Sequence, residues 1–139
     1  MRGKRLSSHS QAALAILTIV LFAASACAAQ QETVLHSFGN GSDGGGPSGG
    51  LIIDAAGNLY GITYYGGIHG GCHSGCGTAF ELSPRAGGAW TETVMHSFGG
   101  GSDGKSPSSV LLMDSAGNLY GTTYAGGIHR CGTVFEIVR

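Results

Sequence analysis

The feature that most constrains this chain is an internal duplication. Most of residues 32–69 is repeated at 92–129, beginning with Glu-Thr-Val-Leu-His-Ser-Phe-Gly in the first copy and Glu-Thr-Val-Met-His-Ser-Phe-Gly in the second. The copies diverge where residues 70–75 stand in place of Arg130, and then rejoin. Repeats that each hold several short strands are typical of propeller blades and related arrays. The duplication therefore predicts two structural units of one kind.

Each copy divides into four short strand candidates. β-branched and aromatic residues fill the candidates, whereas Gly, Asn, Asp and Pro fill the gaps between them. In the first copy the candidates lie at 34–38, 51–54, 59–64 and 78–82. The pattern predicts an all-β fold of two four-stranded, propeller-blade-like repeats, with repeat one at 32–91 and repeat two at 92–139.

The N-terminal segment has the pattern of an export signal. Three basic residues stand within the first five, an apolar run follows at 12–24, and small residues surround Cys27. This order is typical of a secretory signal, and the run is short for a transmembrane helix. We predict a signal peptide at 1–28 and a two-repeat β domain at 29–139. Two alternatives are an uncleaved anchor and a lipoprotein signal, in which Cys27 would carry the lipid.

The charge of the predicted mature part argues against one class of partner. It has four Lys or Arg residues against eight Asp or Glu, a net charge of −4 with histidine neutral. Nucleic-acid binding normally requires clustered basic residues, and this part of the sequence has no such cluster. It also lacks a second long apolar run. We therefore expect no nucleic-acid partner and no transmembrane span after signal removal.

The cysteines allow two interpretations. Cys72 and Cys76 lie in the extra loop of copy one, and outside the cytoplasm such a pair can form a local disulfide. Cys131 corresponds to Cys76 and is left without a counterpart of Cys72. Alternatively, His69, Cys72, His73 and Cys76 offer nitrogen and sulfur ligands for zinc, although their spacing matches no standard finger. The disulfide is the favoured prediction, and no cofactor is predicted.

Two histidines occupy equivalent positions in the copies. His36 and His96 each share a strand face with a valine and a phenylalanine. One hypothesis makes them acid–base catalytic groups facing a channel. The other makes each a partly buried histidine bonded to the backbone, and it is favoured because a residue present in both copies suits a packing role. The chain contains no His-Glu-x-x-His motif.

The repeat resembles a known family. The strings Thr-Val-Leu-His-Ser-Phe, Gly-Ser-Asp-Gly, Gly-Asn-Leu-Tyr-Gly and Cys-Gly-Thr-Val-Phe-Glu are similar to those of the Gloeo/Verruco (GloVer) tandem repeat family, over nearly all of 32–139. The resemblance implies an exported, often surface-anchored bacterial protein with a β-propeller-like fold, and it implies no activity. Propellers commonly close with four to eight blades. Two copies therefore predict a partial propeller, an oligomer or a fragment of a longer array, with a compact sandwich as a further alternative.

These observations favour a non-catalytic extracellular repeat protein that serves as a scaffold or binding module for a carbohydrate or protein ligand. The alternative is an extracellular propeller lyase or hydrolase that acts on a glycan or small ester through His36 and His96. The expected location is secreted, periplasmic or at the outer cell surface, with a lipid anchor if Cys27 is modified. A homo-oligomer is among the expected assemblies.

Overall fold

The fold was obtained as a computed structural model, which describes residues 30–39, 41–99 and 102–139. Residues 34–139 form one compact unit. The predicted signal peptide and Cys27 lie outside the described residues. Within the described part, strands predominate and the one short helical element is a 3₁₀ turn at Ala86–Gly88. The prediction of an all-β protein is confirmed.

Sheet one is antiparallel and has four strands in chain order. They are β1 (Gly45–Ile53), β2 (Leu59–Tyr65), β3 (Thr78–Pro84) and β4 (Trp90–Ser97). A bulge between Ser48 and Ile52 interrupts the pairing of β1 with β2. Another lies between Ala79 and Phe80, where β3 pairs with β4. Most of β4 comes from repeat two, so a strand of the second copy completes the sheet of the first.

Sheet two repeats this plan with a gap. Its strands are β5 (Gly104–Pro107), β6 (Leu112–Met113), β7 (Leu119–Gly126) and β8 (Thr133–Ile137). Both β5 and β6 pair with β7 on one side, and β8 pairs with β7 as well. By position in the repeat, β5 and β6 together correspond to β1. Among the described strands, none takes the place beside β8 that β4 takes beside β3.

One strand prediction is wrong. Residues 34–38 share most of their sequence with 94–98, of which 94–97 lie in β4, yet they form no strand in the structure. The reason is the absence of a pairing neighbour, because β4 lies beside β3 whereas no described strand pairs with 34–38. The segment nevertheless places its side chains as β4 does. The rings of Phe38 and Phe80 lie 4.9 Å apart with 62° between their planes, and those of Phe98 and Phe135 have the same values.

The core lies between the two sheets. Tyr60, Ile62 and Ala79 of sheet one are buried in one cluster with Leu111 and Leu119 of repeat two. Phe98, which follows β4, belongs to the same cluster. Burial of this apolar area holds the sheets together at about 25 cal/mol per Å². Each sheet thus has two different faces. One carries the Tyr60, Ile62 and Ala79 positions, and the other carries the Leu111 and Leu119 positions.

Two hairpin turns are closed in the same way in the two repeats. Asp54 Oδ1 accepts hydrogen bonds from the amides of Ala56 and Asn58, each at 2.9 Å. Gly57 has a φ of 86°, which glycine adopts without strain. Asp114 repeats both amide contacts at the same distance. The turns that join β1 to β2 and β6 to β7 are therefore closed by an aspartate cap.

Candidate functional site

Each repeat contains a histidine–aspartate pair that closes a loop. In repeat two, Nε2 of His96 lies 2.8 Å from Oδ2 of Asp103, a carboxylate that also accepts hydrogen bonds from the amides of Gly99 and Gly104. The carboxylate therefore ties the end of β4 to the start of β5. We call this His–Asp arrangement the loop clip. His96 thus bonds to a side-chain carboxylate and not to the backbone group that the favoured hypothesis expected.

The loop clip of repeat one is looser. Nε2 of His36 lies 3.7 Å from Oδ2 of Asp43, which is beyond hydrogen-bonding distance. Asp43 accepts hydrogen bonds from the amides of Gly39 and Gly41. The bond from Gly39 is the main cause that lowers the pKa of Asp43, and the nearby His36 contributes. In the Gly-Ser-Asp-Gly turn of repeat one, the Asp43 carboxylate thus accepts hydrogen bonds from nearby backbone amides.

A cleft of about 510 Å³ lies beside this loop. Its polar lining comes from the turn around Asp43, from the loop at His69 and from Glu92 and His96 on β4. Its apolar lining is Ile68, Val94 and Met95. The cleft brings together His69 and His96, two residues that the sequence singled out for different reasons. Among the described residues, no Phe, Tyr or Trp side chain lines the cleft.

Glu92 is the most unusual ionisable group of the cleft. Its Oε1 atom is buried and has no hydrogen-bond partner among the described residues, and the same holds for Nε2 of His36. Burial raises the pKa of Glu92; His36 opposes this effect, and the negative charge of Asp43 adds to it. The sequence analysis missed Glu92 because Glu32 and Glu92 look alike as repeat positions. Only the fold shows that Glu92 lies close to His36 and Asp43.

A second polar cluster links the two sheets. The guanidinium of Arg139 lies 3.7 Å from Asp54 and 3.5 Å from Glu81, and it sits 4.8 Å from the ring centre of Tyr60. The Tyr60 hydroxyl donates to Asp54 at 2.9 Å. Burial, followed by this bond, raises the pKa of Tyr60 to about 12. A hydrogen bond from the Asn58 side chain is the main cause that lowers the pKa of Asp54 to about 2.

The same cluster in repeat two lacks a cation. The Tyr120 hydroxyl donates to Glu136 at 2.7 Å and to Asp114 at 3.1 Å. The bond to Glu136 is the main cause that raises the pKa of Tyr120 to about 12. Within the part of the chain that the structure describes, no lysine or arginine forms a salt bridge with Asp114 or Glu136. The acidic cluster of repeat one is thus partly neutralised by Arg139, whereas that of repeat two has no such cation among the described residues.

The structure joins Cys72 and Cys76 in a disulfide with 5.2 Å between their Cα atoms, as the favoured interpretation predicts. Because each sulfur is bonded to the other, neither is available as a thiolate for zinc. His69 lines the cleft and His73 is exposed. Within the described ranges, no three His, Cys, Asp or Glu side chains are placed to hold a metal ion. Cys131 is exposed and free.

A buried threonine pair is a repeated feature that the sequence analysis missed. The hydroxyls of Thr63 and Thr78 lie 2.9 Å apart, and the Thr78 amide donates to Thr63 Oγ1 at 3.0 Å. Thr123 and Thr133 reproduce both distances. Gly44 lies against the first pair, and a Cβ there would come within 2.4 Å of Thr63 Oγ1. The only sign of this pair in the sequence is that both threonines recur at the equivalent positions of the second copy.

Across the described ranges, no helix has the length and hydropathy that a bilayer span requires. The exposed aromatic side chains are Tyr65, which meets Tyr64 edge to face at 4.8 Å, and Tyr124. Neither lies in the cleft. The site that remains is a polar cleft bordered by two loop clips.

Comparison with known proteins agrees with this repeat architecture. A family model described as the Gloeobacter/Verrucomicrobia repeat matches residues 20–139. A search of curated proteins found no match. A search of solved structures found none either. Because the family model covers most of the chain, this protein belongs to the Gloeobacter/Verrucomicrobia repeat family.

Proposed function

We propose that this chain is a non-catalytic, exported repeat protein that acts as a scaffold or binding module at the bacterial cell surface. Its two sheets would serve as propeller-blade-like units. Family membership and an all-β repeat fold support the proposal. The Cys72–Cys76 disulfide also fits an oxidising compartment outside the cytoplasm.

The observation that carries the non-catalytic proposal is the use of the candidate acid–base groups as loop clips. His96 faces Asp103, and that carboxylate is already bonded to two backbone amides. Repeat one builds its own version from the equivalent residues. Catalytic centres place a base within reach of a substrate proton. A histidine that bonds the carboxylate closing its own loop, as His96 does in repeat two, instead has a structural role.

One observation favours the alternative function, an extracellular lyase or hydrolase. Glu92 is a partly buried carboxyl with a raised pKa, and it lies next to His36 and lines the cleft. A carboxyl with a raised pKa beside a histidine is the arrangement from which a general acid can be built. In this alternative Glu92 would donate a proton to a leaving group, and His36 would orient it.

The two functions can be separated by one set of variants. The full chain is expressed with its own N-terminal segment, and the exported protein is incubated with chromogenic esters and with acidic polysaccharides. We expect no turnover, and we expect His96→Gln to lower thermal stability because the repeat-two clip is lost. Turnover that Glu92→Gln abolishes while the protein remains folded would establish the enzyme instead. The exposed variant Glu32→Gln is the control.

The ligand role is tested on the same preparations. Binding to a panel of immobilised polysaccharides is measured for the wild-type protein and for His69→Ala, which changes the cleft. Retention that His69→Ala weakens would support the cleft as the binding site. Retention that persists unchanged in this variant would exclude the cleft, and the absence of retention on every polysaccharide would exclude a carbohydrate ligand from that panel.

A further inference from the structure

Sheet two exposes the face that sheet one buries. In sheet one, Ala79 is fully buried against repeat two, whereas its counterpart Val134 on β8 is 81% exposed. Leu112, the counterpart of Ile52, is 70% exposed. These side chains border a shallow apolar groove that also includes Val110 and Tyr120. A connected apolar surface of this kind marks an interaction site.

Sheet one exposes part of the opposite face. Leu111 is fully buried against sheet one, but its counterpart Leu51 is 54% exposed. Ile53, the counterpart of the partly buried Met113, is 67% exposed. Within the molecule, the face of sheet two that carries Leu111 packs on the face of sheet one that carries Ala79. The two exposed faces are therefore the two complementary halves of a contact that the chain already makes once.

The strand edges show the same complementarity. β3 pairs on its outer side with β4, but no described strand pairs with the outer side of β8. β8 contains neither Lys nor Pro, the residues that commonly protect an exposed edge. Residues 34–38 correspond in sequence to 94–98 and have no strand partner among the described residues. The outer edge of β8 and the segment 34–38 are thus both without a strand partner among the described residues.

The unpaired segment already has the side-chain arrangement of its counterpart. The rings of His36 and Phe38 lie 4.6 Å apart at 82°, and those of His96 and Phe98 lie 4.7 Å apart at the same angle. Pairing would therefore require little additional ordering, which lowers the entropic cost of association. β4 also shows that such a segment can contact both sheets. Its strand pairs with sheet one, while Phe98, which follows it, contacts Phe135 of sheet two.

We propose that the open face and outer edge of sheet two bind sheet one and residues 34–38 of a second copy of this chain. The register follows from β3 and β4, in which Thr78 pairs with Ser97, Ala79 with His96 and Phe80 with Val94. By repeat position, Thr133 pairs with Ser37 of the second copy, Val134 with His36 and Phe135 with Val34. The contact is heterologous, so it links molecules head to tail.

This inference concerns how copies join and is independent of whether the cleft binds a ligand. Its test uses two variants that each damage a different half of the contact. Val134→Lys places a charge on the open face of sheet two, and Leu51→Lys places one on the open face of sheet one. Ile128→Lys, at a loop residue that is also highly exposed, is the matched control. All are made in a Cys131→Ser background, so that no intermolecular disulfide contributes.

We expect the exported Cys131→Ser protein to associate in analytical ultracentrifugation as its concentration rises, and the Ile128→Lys control to behave in the same way. Each of the two face variants should weaken association at least tenfold while retaining the wild-type circular dichroism. An equimolar mixture of the two should form a dimer that does not grow further, because it contains one intact contact.

Three results would overturn the proposal. The first is a wild-type protein that stays monomeric at every concentration. The second is association that neither face variant weakens. The third is a mixture of two folded face variants that fails to form the dimer. Misfolding cannot imitate the expected outcome, because restoration on mixing requires both variants to keep their undamaged half.

Discussion

The two sheets arise from nearly the same sequence but differ in what covers them. Tyr60 and Ala79 of sheet one are buried, whereas their counterparts in sheet two are half-buried at Tyr120 and exposed at Val134. Sheet one has a paired strand on the outer side of β3 and a second sheet over its Tyr60 face. Among the described residues, no strand pairs with the outer side of β8, and no second sheet covers the face of sheet two that carries Tyr120. The burial of a side chain in this protein therefore depends on what packs against its sheet. The strand sequence determines only which side chains lie on each face.

The duplication supplies a matched control for almost every substitution. A change in repeat one can be compared with the equivalent change in repeat two, where the chemistry is the same and the surroundings differ.

The largest difference should come from the aromatic anchors. Phe80→Ala removes a side chain that is 2% exposed and lies against Phe38, and we expect it to cost about 3–5 kcal/mol of unfolding free energy. Phe135→Ala removes a half-buried ring and should cost clearly less. The measurement is urea unfolding of both variants at a concentration at which the protein is monomeric. Equal losses would mean that sheet two is covered as well as sheet one.

The disulfide is present only in repeat one. Cys72→Ser opens a loop closed by residues four apart, and the loop-entropy relation gives a loss of about 2 kcal/mol. Cys131→Ser replaces an exposed free thiol and should leave stability unchanged. Thermal unfolding of both variants measures the difference. A Cys131→Ser variant that loses as much stability as Cys72→Ser would contradict the assignment of the bond.

The tyrosine hydroxyls should differ less. Tyr60→Phe removes a buried donor to Asp54, and we expect a loss of about 1 kcal/mol. Tyr120→Phe removes a more accessible hydroxyl whose carboxylate partners can rebond with water, so its loss should be smaller. Denaturant midpoints of the two variants give the comparison. A larger loss for Tyr120→Phe would show that the repeat-two cluster is the more enclosed one.

The smallest effect concerns the pH dependence of Glu92. Its folded pKa is raised above the ordinary value of 4.5, so its contribution to stability is present below that value and is lost as pH rises through the folded pKa. Glu92→Gln should therefore gain stability relative to wild type between acid and neutral pH. Glu32→Gln, at an exposed position, should show no such gain in stability. Unfolding free energies across this pH range decide the matter.

Much of the fold could be predicted from local patterns. The strands around Leu59 and Thr78, the aspartate-capped hairpin turns and the Cys72–Cys76 bond all depend on residues close in sequence. These features follow from strand propensity, turn chemistry and short loop closure. The repeat itself predicted that the two copies would build the same elements, and they largely do.

The remaining features depend on contacts that no local pattern encodes. Residues 34–38 and β4 have almost the same sequence, yet only one of them finds a strand partner. The raised pKa of Glu92 arises from burial and from His36 and Asp43, which are distant in sequence. Arg139 partly neutralises the acidic cluster of the other repeat, and no residue close to it in the sequence indicates this. Tertiary context therefore sets the candidate site.

Amide hydrogen exchange tests whether β3 and β8 are equivalent strands in different surroundings. In dilute monomeric protein, amides along β3 should be protected throughout, whereas alternate amides of β8, those that point away from β7, should exchange rapidly. Their protection should rise as concentration increases and a second copy pairs with that edge. Uniform protection of β8 in the dilute monomer, equal to that of β3, would contradict the account.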